Sequence, residues 1–202
     1  MWINGGPGSS SMIGLFQENG PCGIDIHGTP YTNPYSWSNA SNMLFIDQPV
    51  TVGMSYSIPV NAYVPSSGYI NTLPNATCPD YAVGYGTCGT YSYPNETLTA
   101  NSTAAAAPNM WKTLQGFMGA FPEYSRDGFH FTTESYGGHY GPVFNEYFET
   151  QNAKNIPGAH NISLRTVAIG NGWYDPLIQY QAYCKPRNSL VPEISNGKLT
   201  SF

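Results

Sequence analysis

Charged side chains are scarce in this 202-residue chain. Seven Lys and Arg residues and twelve Asp and Glu residues make up 9% of the sequence, against 14% aromatic residues. No cluster of basic residues occurs, so nothing in the sequence supports binding to nucleic acid. No apolar run is long enough to cross a bilayer. We therefore expect neither nucleic acid nor a membrane among the partners of this protein.

Patterns for metal and phosphate binding are also missing. The four cysteines include no Cys-x-x-Cys pair, and no two of the four histidines have metal-ligand spacing backed by a carboxylate. The glycine cluster at residues 5–8 is followed by no Lys at the Walker spacing and opens no Gly-x-Gly-x-x-Gly helix. We expect no metal and no cofactor.

One segment carries a pattern for acyl transfer. Residues 129–133 predict a strand, and residues 134–141 continue as Glu-Ser-Tyr-Gly-Gly-His-Tyr-Gly, which predicts a nucleophile elbow at Ser135. A serine on such a turn is lifted clear of the backbone, with a helix N-terminus behind it. The elbow is usually written Gly-x-Ser-x-Gly, and here Thr133 holds the first glycine position, where strand and helix pass close together. A Gly-rich turn with a bystander serine is the alternative interpretation.

A glycine-rich loop lies at the other end of the chain. Residues 2–11 read Trp-Ile-Asn-Gly-Gly-Pro-Gly-Ser-Ser-Ser, a short apolar strand end followed by glycines. Hydrolases with a serine elbow complete the oxyanion hole with one backbone N–H from such a loop and one from the residue after the nucleophile. Gly6 and Tyr136 fit these two roles, and with Ser135 they form the predicted catalytic set.

These segments belong to a set of six sequence blocks that resembles the serine carboxypeptidase family, closest to its fungal secreted members. The blocks follow one order at plausible spacing and cover nearly all of the chain: residues 2–8, 14–21, 45–50, 121–124, 134–138 and 169–172. One departure is Ser9, where many members carry Cys. It suggests that one disulfide of the family is missing here.

The resemblance implies a receptor for the C-terminal carboxylate of a peptide. In the family this carboxylate is bound by residues that map to Asn4, Gly5, Glu18 and Glu134, and the loop Trp, here Trp2, supports the pocket. The charges agree with such a role. Two carboxyl groups in one buried site cannot both ionise cheaply, so at least one should have a raised pKa and donate a hydrogen bond to an incoming carboxylate.

Three functions compete at this point. The resemblance implies a serine-type carboxypeptidase that releases C-terminal residues of peptides or proteins through an acyl-enzyme on Ser135. An acyltransferase or esterase on the same scaffold is the second, and a non-catalytic fragment or inactive homologue is the third. A carboxylate receptor favours the first. The residue preference at the scissile bond and the oligomeric state stay open.

The resemblance also implies a fragment. In the family the Asp and His of the catalytic triad come from blocks well downstream of Asn171, and neither block occurs before Phe202. The strands and the signal peptide expected before the oxyanion loop are also missing from this sequence. We expect the 202-residue chain to be inactive alone. His139, four residues along the elbow helix, should point away from the Ser135 hydroxyl. His130 is predicted in a strand, and His27 and His160 in loops.

The predicted fold class is α/β, an incomplete parallel sheet of the α/β-hydrolase type with helices on both faces. Residues 1–174 form the partial core, with a long irregular insertion at about 57–101, and residues 175–202 begin a truncated cap insertion. Predicted elements are a buried strand over 43–47, a helix over 102–120 with Pro108 near a turn or kink, a strand over 129–133, a helix from about Pro142 to Ala153 and a strand over 164–169.

Two features favour a secreted or vacuolar protein. Five Asn-x-Ser/Thr sequons mark possible glycosylation sites at Asn39, Asn75, Asn95, Asn101 and Asn161. A Gly- and Tyr-rich loop is bracketed by two cysteines, and we expect a disulfide between Cys78 and Cys88. Cys22 and Cys184 could pair with each other or with other partners.

Overall fold

The computed structural model describes residues 1–55, 57–125, 128–183, 194–195 and 198–199. Its strands are β1 (Trp2–Ile3), β2 (Cys22–Ile24), β3 (Pro30–Thr32), β4 (Pro59–Pro65), β5 (Asn71–Thr72), β6 (Gly86–Ser92), β7 (Phe129–Glu134), β8 (Leu164–Gly170), β9 (Ile194–Ser195) and β10 (Lys198–Leu199). Its α-helices are α1 (Thr103–Ala120), α2 (Gly137–Ala153) and α3 (Pro176–Tyr183). A five-residue π-helical turn spans Gly14–Glu18.

The chain divides into two units, Met1–Gly172 and Trp173–Phe202. The second unit contains α3 and the antiparallel pair β9 and β10. That residues 175–202 begin a cap insertion stays a prediction. All the residues predicted to form the catalytic and carboxylate sites lie in the first unit.

A three-stranded parallel sheet in the order β1-β7-β8 is the centre of the first unit. This arrangement confirms the α/β class. The predicted buried strand over 43–47 is wrong, because only a single bridge joins Trp2 to Phe45 and the segment is mostly half-buried. After Ile3 the chain turns into the glycine loop, so the residues that follow Phe45 have no strand beside them in that direction.

Helix α1 begins where its sequence predicts a cap. The Ser102 hydroxyl accepts a hydrogen bond from the Ala105 N–H at 3.2 Å, which satisfies one of the unpaired donors of the first turn. Pro108 lies inside the helix, where its ring removes one backbone hydrogen bond. The buried side is formed by Ala106, Ala107, Met110, Leu114 and Met118.

Helix α2 packs between α1 and the sheet. Phe144 meets Phe131 of β7 edge to face, with ring centroids 6.3 Å apart. A Cβ placed on Gly141 would lie 2.9 Å from Ile169 Cδ1, so the glycine allows the helix to approach β8 closely. The predicted start near Pro142 is wrong, because α2 begins at Gly137 and Pro142 lies within it. The helix therefore starts directly behind the elbow.

The insertion at 57–101 is not irregular, which corrects the sequence prediction. It contains an antiparallel sheet in the order β5-β4-β6, with β4 and β6 paired over seven positions. Prolines at both ends of β4 and two glycines in β6 hide the strand pattern in the sequence. The predicted disulfide between Cys78 and Cys88 is present, with a Cα–Cα distance of 5.8 Å, and it ties the preceding loop to β6.

Candidate active site

The Ser135 turn has the backbone geometry of an elbow. Ser135 follows the last residue of β7, has φ of 54° and is exposed. This left-handed conformation is unfavourable for a residue with a side chain and is typically kept where function requires it. The Ser135 N–H donates a hydrogen bond to the Gly170 carbonyl of β8 at 2.9 Å. The neighbouring strand therefore fixes the turn.

Thr133 explains why the elbow tolerates a departure from its usual first glycine. Its side chain is 1% exposed, and its hydroxyl donates a hydrogen bond to the Ile3 carbonyl at 2.7 Å. A Cβ placed on Gly137 would overlap the Thr133 side chain. Because Gly137 has no side chain, the threonine fits between strand and helix with its hydroxyl satisfied.

The glycine loop contacts this elbow through Gly5. A Cβ on Gly5 would lie 2.6 Å from the Glu134 carbonyl oxygen, 2.6 Å from the Tyr136 nitrogen and 3.0 Å from Ser135 Cβ. Gly6 has φ of 109°, a conformation that favours glycine. Within the part of the chain that the structure describes, the Gly6 N–H has no protein acceptor. The loop thus meets the elbow beside the nitrogen of Tyr136.

Asn4 connects the glycine loop to the residue before Ser135. Its side chain is 2% exposed, and its Nδ2 donates a hydrogen bond to Glu134 Oε1 at 3.1 Å. Its Oδ1 accepts hydrogen bonds from Trp2 Nε1 at 2.8 Å and from the Gly14 N–H at 3.1 Å. Since two donors face the oxygen, the amide can present only its nitrogen to Glu134.

Glu18 completes a group of polar side chains around Asn4. It ends the turn Gly14–Glu18 and lies close to the Asn4 side chain. Partial burial raises the pKa of Glu18, the negative charge of Glu134 raises it further, and the interaction with Asn4 opposes the rise. The two carboxyl groups therefore lie near one neutral amide, which is hydrogen-bonded to Glu134.

Trp2 supports this group from the sheet. Its ring packs edge to face on Trp37, with centroids 5.5 Å apart. A Cβ on Gly14 would overlap the Trp2 indole, so the glycine lets the turn that carries Glu18 lie against the tryptophan. The structure thus places Trp2, Asn4, Gly5, Glu18 and Glu134 around one end of β7.

Other residues singled out from the sequence lie elsewhere or in supporting positions. The His139 ring packs against the Tyr136 ring at a tilt of 36°, with centroids 4.7 Å apart. His130 lies in β7 as predicted. Of the five sequon asparagines, Asn95 is half-buried and the other four are exposed. Cys184 lies outside the described residues, and among those described Cys22 forms no disulfide.

The described residues form neither a membrane-spanning helix nor a cluster of metal ligands. No helix there combines the length and the apolar composition needed to span a bilayer. No group of three His, Cys, Asp or Glu residues is placed to hold a metal ion in residues 1–183 outside the gaps at 56 and 126–127.

Sequence patterns alone do not single out the side chains that hold the glycine loop. Asp47 accepts hydrogen bonds from loop residues, and the Tyr140 hydroxyl lies beside Gln48 and the Gly8 backbone. Burial raises the pKa of Tyr140. The one available signal is that Asp47 and Gln48 fall within one of the six recognisable blocks, at residues 45–50.

The chain is similar to known proteins. The family model described as serine carboxypeptidase matches residues 1–70 and 80–197. Carboxypeptidase S1 homolog A of Arthroderma otae is 44% identical, over 91% of this chain and 30% of that protein. Carboxypeptidase S1 of Penicillium janthinellum is 40% identical, over 90% of this chain and 35% of that protein.

A solved structure agrees with these matches. The crystal structure of Kex1(delta)p, a prohormone-processing carboxypeptidase from Saccharomyces cerevisiae, is similar with a TM-score of 0.69 and 28% identity, covering 91% of this chain and 32% of that one. This likeness confirms a partial fold of the α/β-hydrolase type. The chain spans about a third of the length of the curated relatives given above.

Proposed function

Because this chain belongs to the serine carboxypeptidase family, we propose that the full-length protein carrying it removes C-terminal residues from peptides through an acyl-enzyme on Ser135. The Ser135 oxygen attacks the last peptide carbonyl, the C–N bond breaks and the terminal amino acid leaves. Water then hydrolyses the ester and restores the serine. Attack requires an acceptor for the hydroxyl proton, and we assign that role to none of the four histidines of this chain.

The oxyanion of each tetrahedral intermediate would lie between the two loops that meet at Gly5. We assign its donors as the backbone N–H groups of Gly6 and Tyr136. The assignment is supported by the contact between Gly5 and the Tyr136 nitrogen and by the absence of a protein acceptor for the Gly6 N–H among the described residues. The left-handed φ of Ser135 keeps its side chain exposed beside them.

The observation that carries the proposal is the Asn4–Glu134 hydrogen bond beside Ser135, with Glu18 close to the same amide. Because burial and the charge of Glu134 raise the pKa of Glu18, its carboxyl group can keep a proton and donate a hydrogen bond to a third carboxyl group, the C-terminal carboxylate of a peptide. Gly5 completes the group that binds this carboxylate, and Trp2 supports the pocket. A simple ester has no carboxylate to place there, so the receptor favours an exopeptidase over an esterase or acyltransferase.

We place the protein in the secretory pathway, as a secreted or vacuolar enzyme. Four sequon asparagines, Asn39, Asn75, Asn101 and Asn161, are exposed, as glycosylation requires. The Cys78–Cys88 disulfide is typical of an oxidising compartment. Its substrates are peptide or protein C-termini.

The experiment uses the full-length protein with an N-terminally blocked dipeptide and a simple ester of the same acyl group. We expect release of free amino acid from the dipeptide and labelling of Ser135 by a fluorophosphonate. Ser135→Ala should abolish the labelling and lower turnover by several orders of magnitude. Ser67→Ala, an exposed serine in the turn after β4, is the matched control and should change neither.

Two results would contradict the proposal. Labelling that survives Ser135→Ala would show that another serine is the nucleophile. Rapid turnover of the ester with no amino acid released from the dipeptide would favour the esterase or acyltransferase alternative.

A further inference from the structure

Asp47 is a buried carboxylate that lies behind the glycine loop. Its side chain is 5% exposed, and its Oδ1 accepts hydrogen bonds from Ser10 Oγ at 2.8 Å and from the Ser11 N–H at 2.6 Å. Its Oδ2 accepts a third from the Met54 N–H at 2.7 Å. In the described part of the chain no Lys, Arg or His forms an ion pair with it. Three neutral donors therefore stabilise this buried charge, and each of those bonds is charge-assisted.

Asp47 bonds to two different segments of the chain. Ser10 and Ser11 end the glycine loop that starts at Asn4. Met54 belongs to a turn that follows Phe45, the residue bridged to β1. A Cβ on Gly53, which has φ of 52°, would overlap the Asp47 carboxylate, so the second loop also closes on it. One side chain thus contacts both loops.

Ser11 extends this connection to the carboxylate receptor. Its hydroxyl donates a hydrogen bond to the Ile46 carbonyl at 2.6 Å and accepts one from the Asn4 N–H at 3.1 Å. The backbone of Ser11 is held by Asp47, and the backbone of Asn4 is held by Ser11. Both ends of the segment from Asn4 to Ser11 are therefore anchored, and Gly5 and Gly6 lie between the anchors.

We infer that Asp47 is a positioning residue for the oxyanion loop, holding the Gly6 N–H at the distance from Ser135 that the reaction requires. This inference rests on the proposed function of Ser135 and Gly6. Asp47 touches no reacting atom and acts through Ser10 and Ser11. A loop built from glycines has little rigidity of its own, so its geometry has to come from such anchors. A displacement of about 1 Å at a reacting group costs about 100-fold in rate.

The test measures kcat per active site in the full-length protein, with active sites counted by end-point fluorophosphonate labelling. Counting sites separates misfolded protein from folded protein with a displaced loop. We expect Asp47→Ala to lower kcat per labelled site by about 100-fold, on peptide and ester substrates alike. Asp47→Asn should recover much of this loss, because its amide oxygen still accepts from Ser10 and Ser11.

The matched control is Asp25→Ala. Asp25 also accepts two backbone N–H bonds, from His27 at 2.9 Å and Thr29 at 2.8 Å, but in an exposed turn away from the loop. Asp25→Ala should leave kcat per labelled site unchanged. If neither Asp47 variant folds, Ser10→Ala removes one of the three bonds to Asp47 and should lower kcat per labelled site, because counting sites already corrects for any loss of folded protein.

The outcomes separate the two proposals. This inference alone is overturned if turnover depends on Ser135 but kcat per labelled site is unchanged in Asp47→Ala. Where Ser10→Ala replaces that variant, an unchanged kcat per labelled site has the same meaning. Absence of Ser135-dependent turnover in the unaltered protein overturns the proposed function and this inference with it.

Discussion

The Asn4 side chain donates a hydrogen bond to Glu134, and this single bond joins the glycine loop to the residue before the serine of the elbow. The bond has a fixed direction, because the Asn4 oxygen is already occupied by Trp2 and Gly14. An amide is well suited to this position, since it donates to a carboxylate without adding a charge.

Asn4→Asp tests the bond. The new carboxylate cannot donate to Glu134, and it adds a third carboxyl group beside Glu18 and Glu134. We expect KM for peptides with a free C-terminus to rise by at least about tenfold, which corresponds to one charge-assisted hydrogen bond. The change in KM for a neutral ester should be smaller. Steady-state kinetics on both substrates checks this.

Asn152→Asp is a suitable control for that variant. Asn152 lies on α2 and bonds the Ile162 backbone with both its amide atoms, far along the helix from Ser135. Asn152→Asp should change the stability of the protein, but it should not change KM for the peptide relative to KM for the ester. An equal rise of KM for peptide and ester in Asn4→Asp would contradict the receptor role of Asn4.

Gly5→Ala tests the contact between loop and elbow. The added methyl group would lie 2.6 Å from two backbone atoms, the Glu134 oxygen and the Tyr136 nitrogen, and backbone cannot move aside as a flexible side chain can. The loop must shift, so we expect a loss of about 100-fold or more in kcat. The measurement is kcat per fluorophosphonate-labelled site.

Gly116→Ala is the control for Gly5→Ala. If close packing causes the loss of kcat at Gly5, this variant should show no loss. Gly116 lies on the exposed side of α1, and a Cβ there meets nothing within 4 Å. Alanine in a helix is more stable than glycine by about 0.5–1 kcal/mol, so this variant should raise the melting temperature slightly and leave kcat unchanged. A Gly5→Ala enzyme with normal kcat would show that the loop does not contact the elbow closely.

The dependence of binding on pH follows from Glu18. Its pKa is raised, chiefly by burial and then by Glu134, so it keeps its proton at a higher pH than a free glutamate does. In the proposed receptor, protonated Glu18 would donate a hydrogen bond to a peptide carboxylate, whereas ionised Glu18 would repel it. KM for a free-acid substrate should therefore be lowest at acidic pH and should rise as pH increases through the raised pKa. An amide-capped substrate should show less change.

Replacing Glu18 and Glu134 together with Gln should flatten this dependence, because an amide donates a hydrogen bond at every pH. The profile is measured from pH about 4.5 to about 7.5, which spans the usual range of raised carboxyl pKa values. A KM that stays constant across this range in the unaltered protein would remove the receptor role from both glutamates.

Local patterns in the sequence were sufficient for the elbow and its strand. The elbow is indicated by the spacing of glycines around Ser135, and β7 by its apolar residues. Both signals lie within a few residues of the element that they predict, and both elements were predicted well. The α2 start was wrong because Pro142 is typical of a first helical turn, although here it lies inside the helix. A helix that packs on a sheet can tolerate the lost hydrogen bond.

Features that depend on distant partners were not predictable in this way. The sheet of β4, β5 and β6 forms by pairing across loops rich in Pro and Gly, and no alternation in the sequence indicates it. Asp47 is similar: its role depends on Ser10 and Ser11, which lie more than thirty-five residues away. For the receptor, the family resemblance supplied the residues, and the structure added the direction of the Asn4 amide.

The most direct test of a carboxylate receptor beside Ser135 is a comparison of two substrates with the full-length protein. One is an N-terminally blocked dipeptide with a free carboxylate, and the other is the same dipeptide with a C-terminal amide. At acidic pH, kcat/KM should favour the free acid by at least about tenfold, the equivalent of one hydrogen bond to a charged group. Equal values, or a preference for the amide, would contradict the account.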